Sequence, residues 1–335
     1  LLQSQSGTYV PVKKIEQRLS AQLLKDYEEI QTLLKSDPSL ASSLSQYSTA
    51  ITLTPSQMLE KLPSLMAGDF PELKNTTYEL RSVHESMKSF LSPAFYLTPP
   101  VDTGSPNVIY INDSGRSTSL ELFGTLAHEG FPGHLYQTVS FSRSKPANIR
   151  YLITSSGYVE GWATYVESYA YQYAASLMTN LSRNSASSDF HDSDTSGTSD
   201  TSGKSSISNM SSASNATRLA WLNRSMNLCI YSLIDIGIHY RGWEQARVAA
   251  FLKAFGITNA SAASEIYQYI VETPGNYLKY YWGYLNFLDL KKSCQNSMGA
   301  DFDLKKFHRK IMEIGPVQFP VLEKYLKQEF TPSKK

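Results

Sequence analysis

Cysteine is nearly absent: the 335 residues hold two, Cys229 and Cys294. Two distant cysteines cannot build a disulfide scaffold, and they lack the spacing of a metal knuckle. Each is expected as a buried thiol; a single bridge between them is the alternative. Charge of either sign is not in excess. Lys plus Arg number 31 and Asp plus Glu 30, a formal net charge of +1. No basic surface for nucleic acid and no acidic tail follow from that balance. No run is long and apolar enough to cross a bilayer as a helix. The chain begins Leu-Leu-Gln-Ser without an initiator Met, so processing or trimming is expected, with any signal peptide lying before this numbering.

What is present is an ordinary globular composition, 41% apolar and 18% charged, and enough length to bury a large core. The patterning predicts a mainly α domain over residues 1–335. Ile15 to Leu34 carries apolar residues at helical spacing. Thr54 reads as a cap with Pro55 at the first helical position, ahead of a helix through Met66. Thr76 to Phe90 is predicted as another helix. Ser92-Pro93 and Pro99-Pro100 mark loops. Between turn signals sits Val108-Ile109-Tyr110-Ile111, a small β element near residues 108–112, expected at a sheet edge beside a cleft. Further helices are predicted over Leu120 to His128, Tyr151 to Met178, Leu219 to Tyr240, Glu244 to Phe255, Ala262 to Glu272, Tyr277 to Leu290, Leu304 to Gly315 and Val321 to Phe330. Residues 182–217 are Ser-, Thr-, Asp- and Asn-rich, and that composition predicts a disordered insertion. His191, Asp192 and Asp194 inside it form a weak metal candidate, against the blander reading of a solvated loop.

The chemistry is carried by Leu126-Ala-His-Glu-Gly-Phe-Pro-Gly-His134. A His-Glu pair followed closely by a second His suits zinc, with Glu129 as general base. The usual spacing of four residues puts both imidazoles on one helical face. Here His128 and His134 are six apart, about 600° of rotation on a regular helix, which separates them. Pro132 and Gly133 offer a bulge or kink that brings His134 back. The alternative is a helix that ends at Pro132, with His134 starting the next element.

The third ligand is expected from Tyr158-Val-Glu-Gly-Trp-Ala-Thr-Tyr-Val-Glu167. Glu160 is the predicted ligand and Glu167, two turns on, the partner of a ligating His. Gly161 permits close backbone approach. A pair of salt bridges is the alternative for the two Glu. Asp235 and His239 lie four apart on an apolar helix; Asp235 is expected to orient His239 as a donor to substrate, against a satisfied core histidine. In Thr273 to Gly283, Tyr280 is the expected oxyanion donor, with Tyr277 and Tyr281 as weaker substrate contacts and packing as the alternative for most of these aromatics. The aromatic C-terminal half suggests a groove for extended chains.

Five motifs together resemble the domain-of-unknown-function 885 (DUF885) family. They are His128 to Gln137, Glu160 to Glu167, Asp235 to His239, Pro274 to Tyr280, and Phe307-His308 followed by Gly315. They occur in the family's order from about Val108 to Leu326. The resemblance implies a mostly helical, zincin-like (gluzincin-type) peptidase fold, one zinc on His128, His134 and Glu160, and Glu129 as base. The motif layout is similar to that of helical gluzincins such as the thermostable carboxypeptidases and the angiotensin-converting-enzyme group, whose motif also ends in Gly-His. Members are longer, with a further helical N-terminal half, so this chain matches the C-terminal part. Leu228 and Tyr231 stand where the resemblance leads one to expect arginines. Members often carry export or lipoprotein signals, which implies an extracytoplasmic location and a lipid anchor upstream. The expectation is a zinc-dependent peptidase acting on peptides. The rival readings are a non-catalytic helical binding or scaffold module with a vestigial or structural metal site, and a metal hydrolase of non-peptide amides or esters.

Overall fold

Thr54 and Thr118 each accept a hydrogen bond from the backbone N–H three residues on, while the Gln57 and Glu121 side chains each accept one from the backbone N–H of the cap. These reciprocal caps fix two helix starts by local chemistry alone. The computed structural model describes residues 2–153, 155–186 and 201–331, and of residues 179–186 and 201–209 the backbone only.

Among the described residues the helices run α1 (Leu2–Ser6), α2 (Val12–Ser36), α3 (Leu40–Ser48), α4 (Pro55–Leu65), α5 (Ser119–Glu129), α6 (His134–Arg143) and α7 (Ile149–Leu152). They continue as α8 (Ser156–Ala186), α9 (Thr201–Arg241), α10 (Gln245–Lys253), α11 (Ala260–Glu272), α12 (Asn276–Met298), α13 (Leu304–Ile314) and α14 (Phe319–Glu329). The strands are β1 (Glu79–Ser82), β2 (Ala94–Leu97) and β3 (Val108–Ile111). The fold is mainly helical with one small sheet, and no described helix is long and apolar enough to cross a membrane.

The centre is α8. Tyr158, Trp162, Ala163, Tyr165, Val166, Ala170 and Ala174 on it are all fully buried, so it is apolar around most of its circumference. It crosses α12 at glycines. A Cβ on Gly161 would lie 2.4 Å from the Gly283 Cα, and one on Gly283 would lie 2.2 Å from the Gly157 carbonyl oxygen. Only hydrogen fits there, as the sequence predicts for Gly161, and the crossing sets Glu160 beside the first turns of α12.

The sheet order is β1-β3-β2, with β1 parallel and β2 antiparallel to β3. Two expectations are corrected here. Residues 76–90 form β1 and a short 3-10 turn (Glu85–Met87), not a helix. Pairing of Glu79–Ser82 with Val108–Ile111 satisfies that backbone from far along the chain, and such pairing overrides local propensity. β3 is the central strand, not an edge, because β1 and β2 flank it on both sides.

The 182–217 stretch enters the described residues at both ends. Residues 182–186 continue α8, and 201–217 open α9. The reason lies in packing: Ala216 and Leu219 join Leu40 in a small buried cluster against α2, and Arg218 pairs with Glu29 at 2.7 Å. The rest of that stretch, with His191, Asp192 and Asp194, lies outside the described residues. Both cysteines are free and buried, and Cys229 donates to the Leu19 carbonyl at 3.2 Å.

Candidate metal centre

His128 sits in the last turn of α5 and His134 is the first residue of α6. The six-residue gap is therefore not a bulge within one helix. α5 stops at Glu129, four residues cross over, and a new helix begins. Gly133 makes this possible: a Cβ there would lie 1.8 Å from the His128 carbonyl oxygen and 2.4 Å from that of Ala127. The chain folds back flat onto the turn it has just left. Tyr136 N–H closes on the Gly130 carbonyl at 3.1 Å, and Trp162 Nε1 of α8 donates to the Pro132 carbonyl at 2.8 Å. The two imidazoles end 4.7 Å apart, nearly perpendicular.

Glu160 completes the group. Its Oε2 lies 3.6 Å from His128 Nε2 and 3.4 Å from His134 Nε2. That oxygen is buried and has no hydrogen-bond partner, an arrangement that costs free energy unless a cation fills it. The three ligand atoms lie within 4.8 Å of one another. Tetrahedral zinc with bonds of about 2.0–2.1 Å holds its ligands roughly 3.4 Å apart. Two imidazoles and a carboxylate at these separations fit zinc in chemistry and size.

The surroundings hold His128 in place. His128 Nδ1 donates to Glu167 Oε1 at 2.7 Å, leaving Nε2 with its lone pair toward His134 and Glu160. Glu167 is held in turn by Arg224 Nε at 3.1 Å. Burial alone would raise the Glu167 carboxyl; the Arg224 charge and the His128 hydrogen bond outweigh it and bring it to about 2. Burial also opposes the charge on Glu160, yet His128 and His134 hold its carboxyl far below the ordinary range. Desolvation works against a protonated His128, but Glu160, Glu167 and Glu129 outweigh it and raise the imidazole. The pocket is built for positive charge.

Glu129 is anchored from the sheet. Its Oε2 accepts the Tyr96 backbone N–H of β2 at 2.9 Å, and its Oε1 lies 4.0 Å from His128 Nε2. Tyr280 of α12 stands close by, its ring centre 6.1 Å from that of His128. Burial, then the charges of Glu160 and Glu129, push its hydroxyl well above the usual value, so it is a hydrogen-bond donor at neutral pH. His128, Glu129, Tyr277 and Tyr280 line a cleft of about 990 Å³.

The family described as "Bacterial protein of unknown function (DUF885)" matches residues 11–184 and 209–326. The chain belongs to the DUF885 family. Solved structures resemble it, two of them as follows. One, a candidate lipoprotein from Colwellia psychrerythraea, has a TM-score of 0.72 at 18% identity, over 98% of this chain and 54% of that one. The other, a candidate lipoprotein of unknown function from Shewanella oneidensis, has a TM-score of 0.63 at 16% identity, over 98% of this chain and 58% of that one. At such identities the likeness shows the fold alone, and the chain spans little more than half the length of either. No curated protein matches.

The DUF885 chain thus brings His128, His134, Glu160, Glu129, Glu167 and Tyr280 together, with Tyr277 on the cleft wall. Three expectations fail. Tyr281 is fully buried, bonded to Ser225 at 2.8 Å and Asp26 at 3.3 Å in the core between α2, α9 and α12, so it touches no substrate. His239 is not on the cleft wall; its Nε2 bonds the Ile270 carbonyl at 2.8 Å. Asp235 does not orient it, being 3.8 Å away. Asp235 instead accepts the Gly275 N–H at 2.9 Å and ties down the start of α12.

Sequence reasoning missed Arg224, Tyr96 and Lys279. Arg224 is one helical turn before Leu228, where an arginine was sought, so the same helix face was the available signal. Tyr96 acts through its backbone and leaves no side-chain signal. Lys279 adjoins Tyr280, and its Nζ lies 3.7 Å from Glu160 Oε1.

Proposed function

We propose that this chain carries the site of a zinc-dependent peptidase, with Glu129 as general base. The observation that carries the reading is the buried, unpartnered Glu160 Oε2 set between the Nε2 atoms of His128 and His134. A gluzincin-type site of this kind sits on the helical fold described above. When bound, zinc supplies Lewis acidity toward a carbonyl or water oxygen.

The chain's own groups do the rest. Glu129 Oε1 is placed to accept a proton from water, while the Tyr96 N–H fixes the other oxygen so the carboxylate cannot swing away. The protonated Tyr280 hydroxyl donates toward negative charge developing on the substrate carbonyl. Glu167 holds the His128 tautomer, and Arg224 keeps Glu167 ionised. The cleft has room for an extended peptide. Two similar structures described as candidate lipoproteins support an exported, lipid-anchored setting.

The test is Glu129→Gln on a peptide panel. Zinc content should be unchanged and turnover should fall by about 10²–10⁴-fold. Wild-type rates in that variant would remove Glu129 from the reaction. Cleavage of simple esters or amides with no cleavage of peptides would move the substrate class.

A further inference from the structure

We propose that Asp235 and His239 are positioning residues: from α9 they fasten the corner between α11 and α12 on both sides, and so set where Tyr280 stands beside His128. The role given to Tyr280 rests on the peptidase reading; the fastening of the corner does not. α11 ends at Glu272 and α12 begins at Asn276, which leaves Thr273, Pro274 and Gly275 to turn the chain. Gly275 takes a φ of 75°, the left-handed region that suits glycine. Asp235 and His239 lie one turn apart on α9. His239 Nε2–H donates to the Ile270 carbonyl at 2.8 Å, in the last turn before the corner. Asp235 Oδ1 accepts the Gly275 N–H at 2.9 Å, at the head of the helix after it. The polarity suits both helix ends, a donor at the carbonyl end and an anion at the N–H end. Between the two, Gly237 leaves room for the Trp243 ring, to which a Cβ would come within 2.3 Å, so the end of α9 is held as well.

The corner carries one end of the cleft. Tyr269 of α11 and Asn276, Tyr277 and Tyr280 of α12 all line it. The Tyr280 hydroxyl makes no hydrogen bond to any described residue, so its place is inherited from the backbone of α12. That helix is pinned at Gly283, against Gly157 and Gly161 of α8, and at Gly275, by Asp235. Tyr280 lies between the two pins, about 7.5 Å along the helix axis from Gly275. A helix held at one point can pivot; held at two, it carries Tyr280 to a fixed place. Released at Gly275, α12 would swing the hydroxyl, and a misplacement of about 1 Å can cost about 100-fold in rate.

The test combines kinetics with fluorine NMR, the latter on protein carrying a ring-fluorinated tyrosine in place of Tyr280. In Asp235→Ala and His239→Ala the fluorine resonance should move from its wild-type position. Asp235→Asn and His239→Gln keep an acceptor and a donor at similar reach and should bring it back. Zinc content should be equal in all of them. On a peptide substrate, Asp235→Ala should lower kcat by about 10–100-fold and leave KM within about threefold. In a Tyr280→Phe background it should lower kcat no further, since the hydroxyl it positions is gone. An unmoved resonance in both alanine variants, or an equal fall in kcat with and without the Tyr280 hydroxyl, overturns the proposal. Should Asp235→Ala fail to fold, His239→Ala, at the 18% exposed end of the pair, carries the same readings. If the resonance moves as expected while no protein, wild type included, cleaves any peptide, the peptidase reading falls and the fastening of the corner stands.

Discussion

Gly133→Ala isolates the geometry that closes the site. The added methyl would lie 1.8 Å from the His128 carbonyl oxygen, whereas real Cβ contacts stay beyond 3.0 Å. The crossover must therefore open by at least about 1.2 Å, against backbone that cannot rotate aside. His134 follows directly on Gly133, so the opening falls on the separation of the ligand atoms. Bonds of about 2.0–2.1 Å leave no slack for such a shift, and we expect zinc affinity to fall by about 100-fold or more. Overpacking should also cost roughly 1–3 kcal/mol of stability. Gly68→Ala is the control, since nothing lies within 4 Å of its would-be Cβ. Competition against a chelator of known affinity reads the zinc constant, and urea unfolding reads the stability. Zinc affinity in Gly133→Ala within twofold of wild type would refute the argument that this close approach is what joins the two imidazoles.

Two further outcomes follow from the surroundings of the site and the core. Glu167→Gln leaves His128 without its anionic partner, and zinc affinity should drop by about 10–100-fold in the same chelator assay; an unchanged constant would show that the His128 orientation is set elsewhere. His308 is buried, stacked on Phe70 at 4.2 Å, with Nδ1–H donating to the Asp69 carbonyl at 2.8 Å and Nε2 accepting from Tyr165 at 2.9 Å. Burial is the main cause that lowers it, from 6.5 to about 3. The unfolded chain therefore binds the extra proton first, and stability is lost as pH falls from about 6.5 toward 3, by up to about 1.4 kcal/mol per pH unit. Urea titrations across that window should show the slope in wild type and not in His308→Asn; a slope that survives the substitution would assign it to other groups.

The cluster of histidines and glutamates was legible because their spacing in the motifs reports it directly. His128, Glu129, His134, Glu160 and Glu167 meet as the motif predicts. How the six-residue gap closes was not legible, because it depends on Gly133 resting on the backbone of α5, a tertiary contact with no periodic signature. The same limit explains residues 76–90, where pairing with Val108–Ile111 decides the conformation. It also explains residues 201–217, which their own composition would leave unfolded, yet contacts of Ala216 and Arg218 with α2 and α3 hold the segment's end in a helix. Asp235 and His239 mislead because helical spacing puts them together while α12 and the end of α11 claim their polar atoms separately. Lys279 and Arg224 gain meaning only once the Gly161–Gly283 crossing and the turn before Leu228 are seen in three dimensions.

The central claim is that His128, His134 and Glu160 close on one metal ion. Elemental analysis of the purified wild type beside His134→Ala tests it directly. The account predicts about one zinc per chain in the wild type and loss of it in the variant. No zinc in the wild type after gentle preparation and add-back, or equal zinc in both proteins, would contradict it.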